Sequence, residues 1–120
     1  MLPAAARMRR SAEFTLAVRR GSRAGKPLLA GHLLIEPSGD PARVGFIVSR
    51  VVGPAVVRNR VKRRLRHLVR GRLTSLPGGS LLVLRANPRA ATARQEDLAA
   101  ELDLVITALL RRQDRARYSG

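Results

Sequence analysis

Apolar positions along this chain switch repeatedly between helical and extended spacing. Ser11 is followed by Glu13, Phe14, Leu16, Ala17 and Val18, then by Arg19 and Arg20 before Gly21. An N-cap serine, an early acid, late bases and a final glycine are the order of a short helix. The apolar run from Leu28 to Ile35, bounded by Pro27 and by the turn-forming stretch Glu36 to Pro41, predicts a strand. Arg43 to Ser49 resumes as a second, β-branched strand, so the two together predict a hairpin. Gly53-Pro54 suits the start of a helix, which Gly71 ends just after Arg70. Leu81 to Leu84 reads as a buried strand. Thr92-Ala93-Arg94-Gln95 fits a capping box ahead of a last helix, whose Leu98, Leu102, Val105, Ile106 and Leu109 form one stripe. Glu96 and Asp97 then lie at its positive end, and Arg111 and Arg112 at its negative end. These elements make one domain spanning residues 1–120, with about 1–10 and 113–120 expected to be flexible.

The helix between Pro54 and Gly71 has two unlike faces. At ~100° per residue, Val57, Val61, Leu65 and Leu68 share one sector. Asn59, Lys62, Arg63, Arg66 and Arg70 fall on the opposite side. An apolar seam is thus fixed to a core while a cationic ridge faces outward. Most charge runs are only solvated faces, but this one lacks the acids that would form i,i+4 pairs, and without an external anion its charges repel one another.

Charge over the whole chain sharpens that picture. Net charge is +16 over 120 residues with pI near 12.0, and no acid occurs between Asp40 and Glu96, where thirteen Lys or Arg lie. A one-sign field of this strength destabilises a compact chain unless a polyanion cancels it, so nucleic acid is the expected partner. Arg outnumbers Lys 22 to 2. A GC-rich genome would also favour Arg, but codon usage does not remove acids. A membrane surface is a poorer match, because the basic helix has no Trp or Phe on its apolar face. No run approaches the ~18 apolar residues of a membrane span, and cysteine is absent, so the default is a soluble cytoplasmic protein without thiolate metal sites.

Self-contained catalysis is not expected. Phosphodiester hydrolysis by protein groups needs an acid–base pair or carboxylates clustered on metal ions. His32 and His67 lie in separate elements, and five of the eight acids fall at or after Glu96. A DNA-reading helix-turn-helix would need a second helix where strands are expected. Aromatic stacking is limited to Phe14, Phe46 and Tyr118; Phe46 reads as core, whereas Phe14 reads either as a staple to the sheet or as an exposed face.

The series Arg43 to Arg50, then Gly53 and Ala55 to Arg66, resembles the bacterial ribonuclease P protein component. Its signature, Arg58, Asn59, Arg60, Lys62, Arg63 and Arg66 on a helix after a strand ending at Ser49, is matched in order. The N-terminal residues Leu2-Pro3, Arg7 to Ser11, Glu13-Phe14 and Gly21 are similar too, as is the stretch from Leu81 to Ala86. The resemblance implies an α/β (α+β) fold: a small mixed sheet packed with three helices, the basic helix lying in a left-handed βαβ crossover. It also implies a further short strand, which the residue pattern does not locate. It implies a subunit without catalytic residues of its own, in an endoribonuclease that removes the 5′ leader of precursor tRNA. Mg²⁺ would be held mainly by the catalytic RNA subunit, and no obligate protein partner or membrane is involved.

By the same resemblance, Arg58, Asn59, Arg60, Lys62, Arg63, Arg66 and Arg70 face the catalytic RNA. Phe14, Val18, His32, Ser49 and Arg50 belong to a cleft for the single-stranded leader. Val18 stands where a second Phe is common, His32 where an aromatic is common, and Val51 where a second Lys is usual. This cleft should therefore be less aromatic and less charged than is typical. Pro54, where Asn is frequent, should only stiffen the helix start. The alternative reading is a structural RNA-binding protein such as a ribosomal protein with a related crossover fold.

Overall fold

A computed structural model of the chain describes residues 6–8, 11–36 and 39–119. Leu2, Pro3, Arg9, Arg10, Pro37 and Ser38, and most of the stretches expected to be flexible at 1–10 and 113–120, fall outside the described residues or have no described side chain. The elements run α1 (Ser11–Arg20), β1 (Ser22–Gly25), β2 (Leu29–Ile35), β3 (Arg43–Ile47), α2 (Ala55–Arg70), β4 (Ser80–Ala86) and α3 (Gln95–Ser119). The strands form one mixed sheet in the order β1-β2-β4-β3. β1 with β2 and β2 with β4 are antiparallel, whereas β3 and β4 are parallel and joined through α2.

The hairpin expected between residues 28–35 and 43–49 does not form. β4 lies between those two strands and pairs with both. Its apolar residues Leu81 to Leu84 are buried on both faces, and a strand of that kind belongs in the middle of a sheet rather than at its edge. The hairpin lies one strand earlier, where β1 turns through Lys26-Pro27-Leu28 into β2. β1 is the short strand that the residue pattern does not locate: Ser-Arg-Ala-Gly has one apolar side chain, Ala24, and no alternation to read.

Alternation along the strands sorts the core into two layers. On one face Leu29, Leu33, Val44, Leu82 and Leu84 pack with Val61 and Leu65 of α2 and with Leu98, Leu102, Val105 and Leu109 of α3. On the other, Leu81 and Val83 pack with Met8 and with Ala17, Phe14 and Val18 of α1. Residues 7 and 8 run beside β3 as a parallel bridge to Val44, with the Met8 amide donating to the Val44 carbonyl at 3.0 Å.

Two details of α3 differ from the expectation. The capping box is not made: Gln95 is the first residue of the helix, and its amide is directed at α2 rather than at Thr92. The helix also passes Arg112 without ending, because Gln113 donates to the Leu33 carbonyl at 2.6 Å and to Ser22 Oγ at 2.9 Å. Arg111 and Arg112 are therefore not terminal charges.

Candidate nucleic-acid interface

Backbone geometry at Gly53 sets the direction in which α2 leaves β3. Its φ of +154° is open to glycine and costly for other residues, and a Cβ there would press on Val57. Pro54 then opens the helix in extended conformation, with its carbonyl accepting from the Arg58 amide at 2.9 Å. Val61, Leu65, Leu68 and Val69 are buried, with Val57 packed at the margin of the same core. The seam drawn from the sequence is therefore the one used, widened by Val69.

The opposite side of α2 is a basic groove lined by Asn59, Lys62, Arg63, Arg66 and His67. Arg60 and Arg70 are exposed beside it, while Arg58 is half-buried and its Nε has no hydrogen-bond partner. His67 is a groove residue that the sequence reading did not place among the RNA contacts. Arg64 behaves differently from its neighbours. Its Nε donates to Gln95 Oε1 at 2.9 Å and its terminal nitrogen to the Ala93 carbonyl, which fastens α2 to the start of α3. One guanidinium of the run thus serves the fold.

Lys62 and Arg66 also line a second, smaller pocket of about 150 Å³ with Arg7, Met8, Phe14, Val44, Gly45 and Phe46. The groove and the aromatic pocket therefore share two lining cations on adjacent turns. Phe14 is half-buried, its ring resting on Gly45; a Cβ at that position would overlap the ring. The two readings of Phe14 merge here, because it staples α1 to the sheet and also lines an open pocket. Phe46, read as core from the sequence, packs on the main core and lines the same pocket. Glu13 contacts Arg43 at 2.6 Å, which ties α1 to β3 beside this site.

The remaining cleft residues are spread along the same sheet face. Val18 is half-buried against the layer under α1. His32 is 8% exposed, opposite Val83 on the central pair of strands, and its Nδ1 is buried without a hydrogen-bond partner. Burial, then the positive fields of Arg23 and Arg85, hold its pKa below the ordinary imidazole value. Ser49 and Arg50 are exposed just past β3. His67 lies on α2, which packs on the opposite face of the sheet from His32. The two imidazoles cannot act on one phosphodiester.

Comparison with known proteins shows the family and the fold that the chain shares. The family model described as Ribonuclease P matches residues 2–110. The ribonuclease P protein component of a Nocardioides species is 57% identical over 105 residues, covering 86% of this chain and 90% of that protein. That of Streptomyces bikiniensis is 53% identical over 118 residues, covering 92% and 96%. In three dimensions the chain is similar to the RNase P protein of Staphylococcus aureus, with a TM-score of 0.76 at 21% identity over 86% of this chain and 94% of that one. This last likeness bears on the fold alone.

Proposed function

Because the chain belongs to the ribonuclease P protein component family, we propose that it acts in 5′ maturation of precursor tRNA as an RNA-binding subunit whose α2 ridge seats on a catalytic RNA and whose α1 cleft receives the leader. The observation that carries this reading is that Lys62 and Arg66 line both the basic groove and the aromatic pocket. A ridge of guanidinium groups grips phosphates whatever the sequence, whereas an aromatic ring on a flat sheet face offers a stacking platform to unpaired bases. One protein so built can hold a folded RNA and an emerging single strand side by side.

The cutting chemistry is assigned to the RNA. Histidines on opposite sheet faces supply no acid–base pair. Among the described residues no three His, Asp or Glu side chains converge, and Glu13, next to Phe14, is engaged by Arg43. In this reading Mg²⁺, a hard ion that takes several oxygen ligands, is held mainly by the RNA subunit. No helix among the described residues is long and apolar enough to cross a membrane, in keeping with work beside tRNA in the cytoplasm.

Reconstitution tests the proposal. The protein mixed with the catalytic RNA of the same organism, at low Mg²⁺, should promote leader removal from precursor tRNA, and the protein alone should cleave nothing. Cleavage by the protein alone, or no effect on the RNA, would refute it.

A further inference from the structure

The sheet face toward α1 carries a cationic cluster beyond the cover of that helix. In the strand register Arg23, His32, Val83 and Gly45 stand in one row across all four strands. Directly paired residues point to the same face, and Val83 lies in the layer under α1, so the whole row faces that way. Phe14 closes one end of the row over Gly45, and Arg23 stands at the other, ~14 Å away by strand spacing. In the next row Arg85 pairs with Ala30, diagonal to His32 and on the same face. Arg23 and Arg85 are both exposed, and the ion pairs Arg43–Glu13, Arg72–Asp103 and Arg94–Glu96 involve neither. Two guanidinium groups therefore flank one buried imidazole whose Nδ1 has no partner.

We propose that Arg23 and Arg85 together hold a phosphodiester of the single-stranded leader above His32, making a second anchor point at the far end of the row from Phe14. This rests on the reading of the α1 face as the leader cleft. An aromatic at one end and a cation pair at the other match one unpaired strand, whose bases stack and whose backbone needs countercharge. The cluster also restores charge to a cleft that has Val51 where a second lysine is usual.

Proton linkage follows from the same geometry. His32 faces Arg23 on β1 and Arg85 on β4. The charged groups of the overlying α1 are Glu13, bound to Arg43, and the exposed Arg19 and Arg20. Burial and the two flanking arginines keep the imidazole neutral in the free protein. A phosphate between the arginines cancels their repulsion of the imidazolium, so leader binding takes up a proton and strengthens as pH falls. One proton sets the limit at about tenfold per pH unit.

The test measures the ratio of precursor to mature tRNA affinity in the holoenzyme, with a precursor blocked against cleavage. Because both substrates share the catalytic RNA, its own titrations cancel in the ratio. Arg23→Ala and Arg85→Ala should each lower the ratio several-fold, and each should reduce the salt dependence of the ratio by roughly 0.7 in log–log slope. His32→Gln should flatten the rise of the ratio at low pH. Phe14→Ala is the parallel arm. If it lowers the ratio while a folded Arg23→Ala/Arg85→Ala protein leaves ratio and salt slope unchanged, the leader cleft stands and the phosphate anchor is wrong. If neither variant moves the ratio, the cleft reading falls with it. Both arginines are exposed, so loss of fold is not an expected confounder.

Discussion

Gly45 shows how one missing side chain makes room for an aromatic ring on the sheet. With only hydrogen on its Cα, the Phe14 ring can press its Cζ–Cε1 edge against β3. Gly45→Ala should push the ring off the sheet while leaving the strand intact, and so lower the preference for precursor over mature tRNA as Phe14→Ala does. Stacking on a base is worth ~1–3 kcal/mol, so either variant should cost up to about a hundredfold in leader-dependent affinity. A fold check by circular dichroism accompanies the measurement, since Phe14 is also a staple. Val61→Asp is the opposite kind of change. Val61 is fully buried, and a carboxylate there has no partner, so the variant should unfold or melt far below the wild type. Phe14 is a cleft candidate through the family resemblance, whereas from the residues alone it reads either as a staple or as an exposed face. Its seat on Gly45 was not legible in the sequence, because contact between residues 14 and 45 depends on a register that no local pattern encodes.

Arg64 separates structural from functional charge within α2. It sits in the middle of the basic run yet bonds to Gln95 and to the Ala93 carbonyl. Arg64→Ala should therefore lower thermal stability by about 1.5–3 kcal/mol, the range for charge-assisted hydrogen bonds, with a smaller effect on RNA affinity than Arg63→Ala. A second clasp joins the end of α2 to α3, where Arg72 holds Asp103 through Nε at 2.6 Å and through its second nitrogen at 3.2 Å. That contact keeps the Asp103 carboxyl below the ordinary aspartate range. Its stabilisation is thus full above the unfolded pKa and lost as pH falls through the lowered one, and it is small because Asp103 is largely exposed. Helix α2 was readable almost to the residue, since an amphipathic period and a Gly-Pro start are local signals. The supposed capping box was not, because Thr92 and Gln95 carry the right letters while Gln95 answers to a guanidinium on another helix. Pairing order in the sheet was hidden for the same reason: β2 and β3 are consecutive strands, but only burial of β4 on both faces decides what lies between them.

Charge is distributed unevenly over the whole molecule. The groove of α2 is cationic, whereas α3 carries Glu96, Asp97, Glu101 and Asp103 within its first nine residues. Replacing Lys62, Arg63 and Arg66 together with Ala should weaken assembly with the catalytic RNA by orders of magnitude at physiological salt. It should also lower the log–log salt slope by up to roughly one unit per lost phosphate contact. Thermal stability of the free protein should change little or rise, because alanine suits a helix and mutual repulsion is relieved. A triple variant that unfolds would mean the ridge, like Arg64, belongs to the fold. The short bridge that residues 7 and 8 make with Val44 has a consequence at this scale as well. It occupies the outer side of β3, the edge where another copy of the chain could otherwise add a strand. The bridge thus acts as a guard against self-templated growth, and the same two residues put Arg7 and Met8 into the wall of the aromatic pocket. A chain trimmed to begin at Ser11 should lose both at once, binding its leader less well and clumping when RNA is withheld.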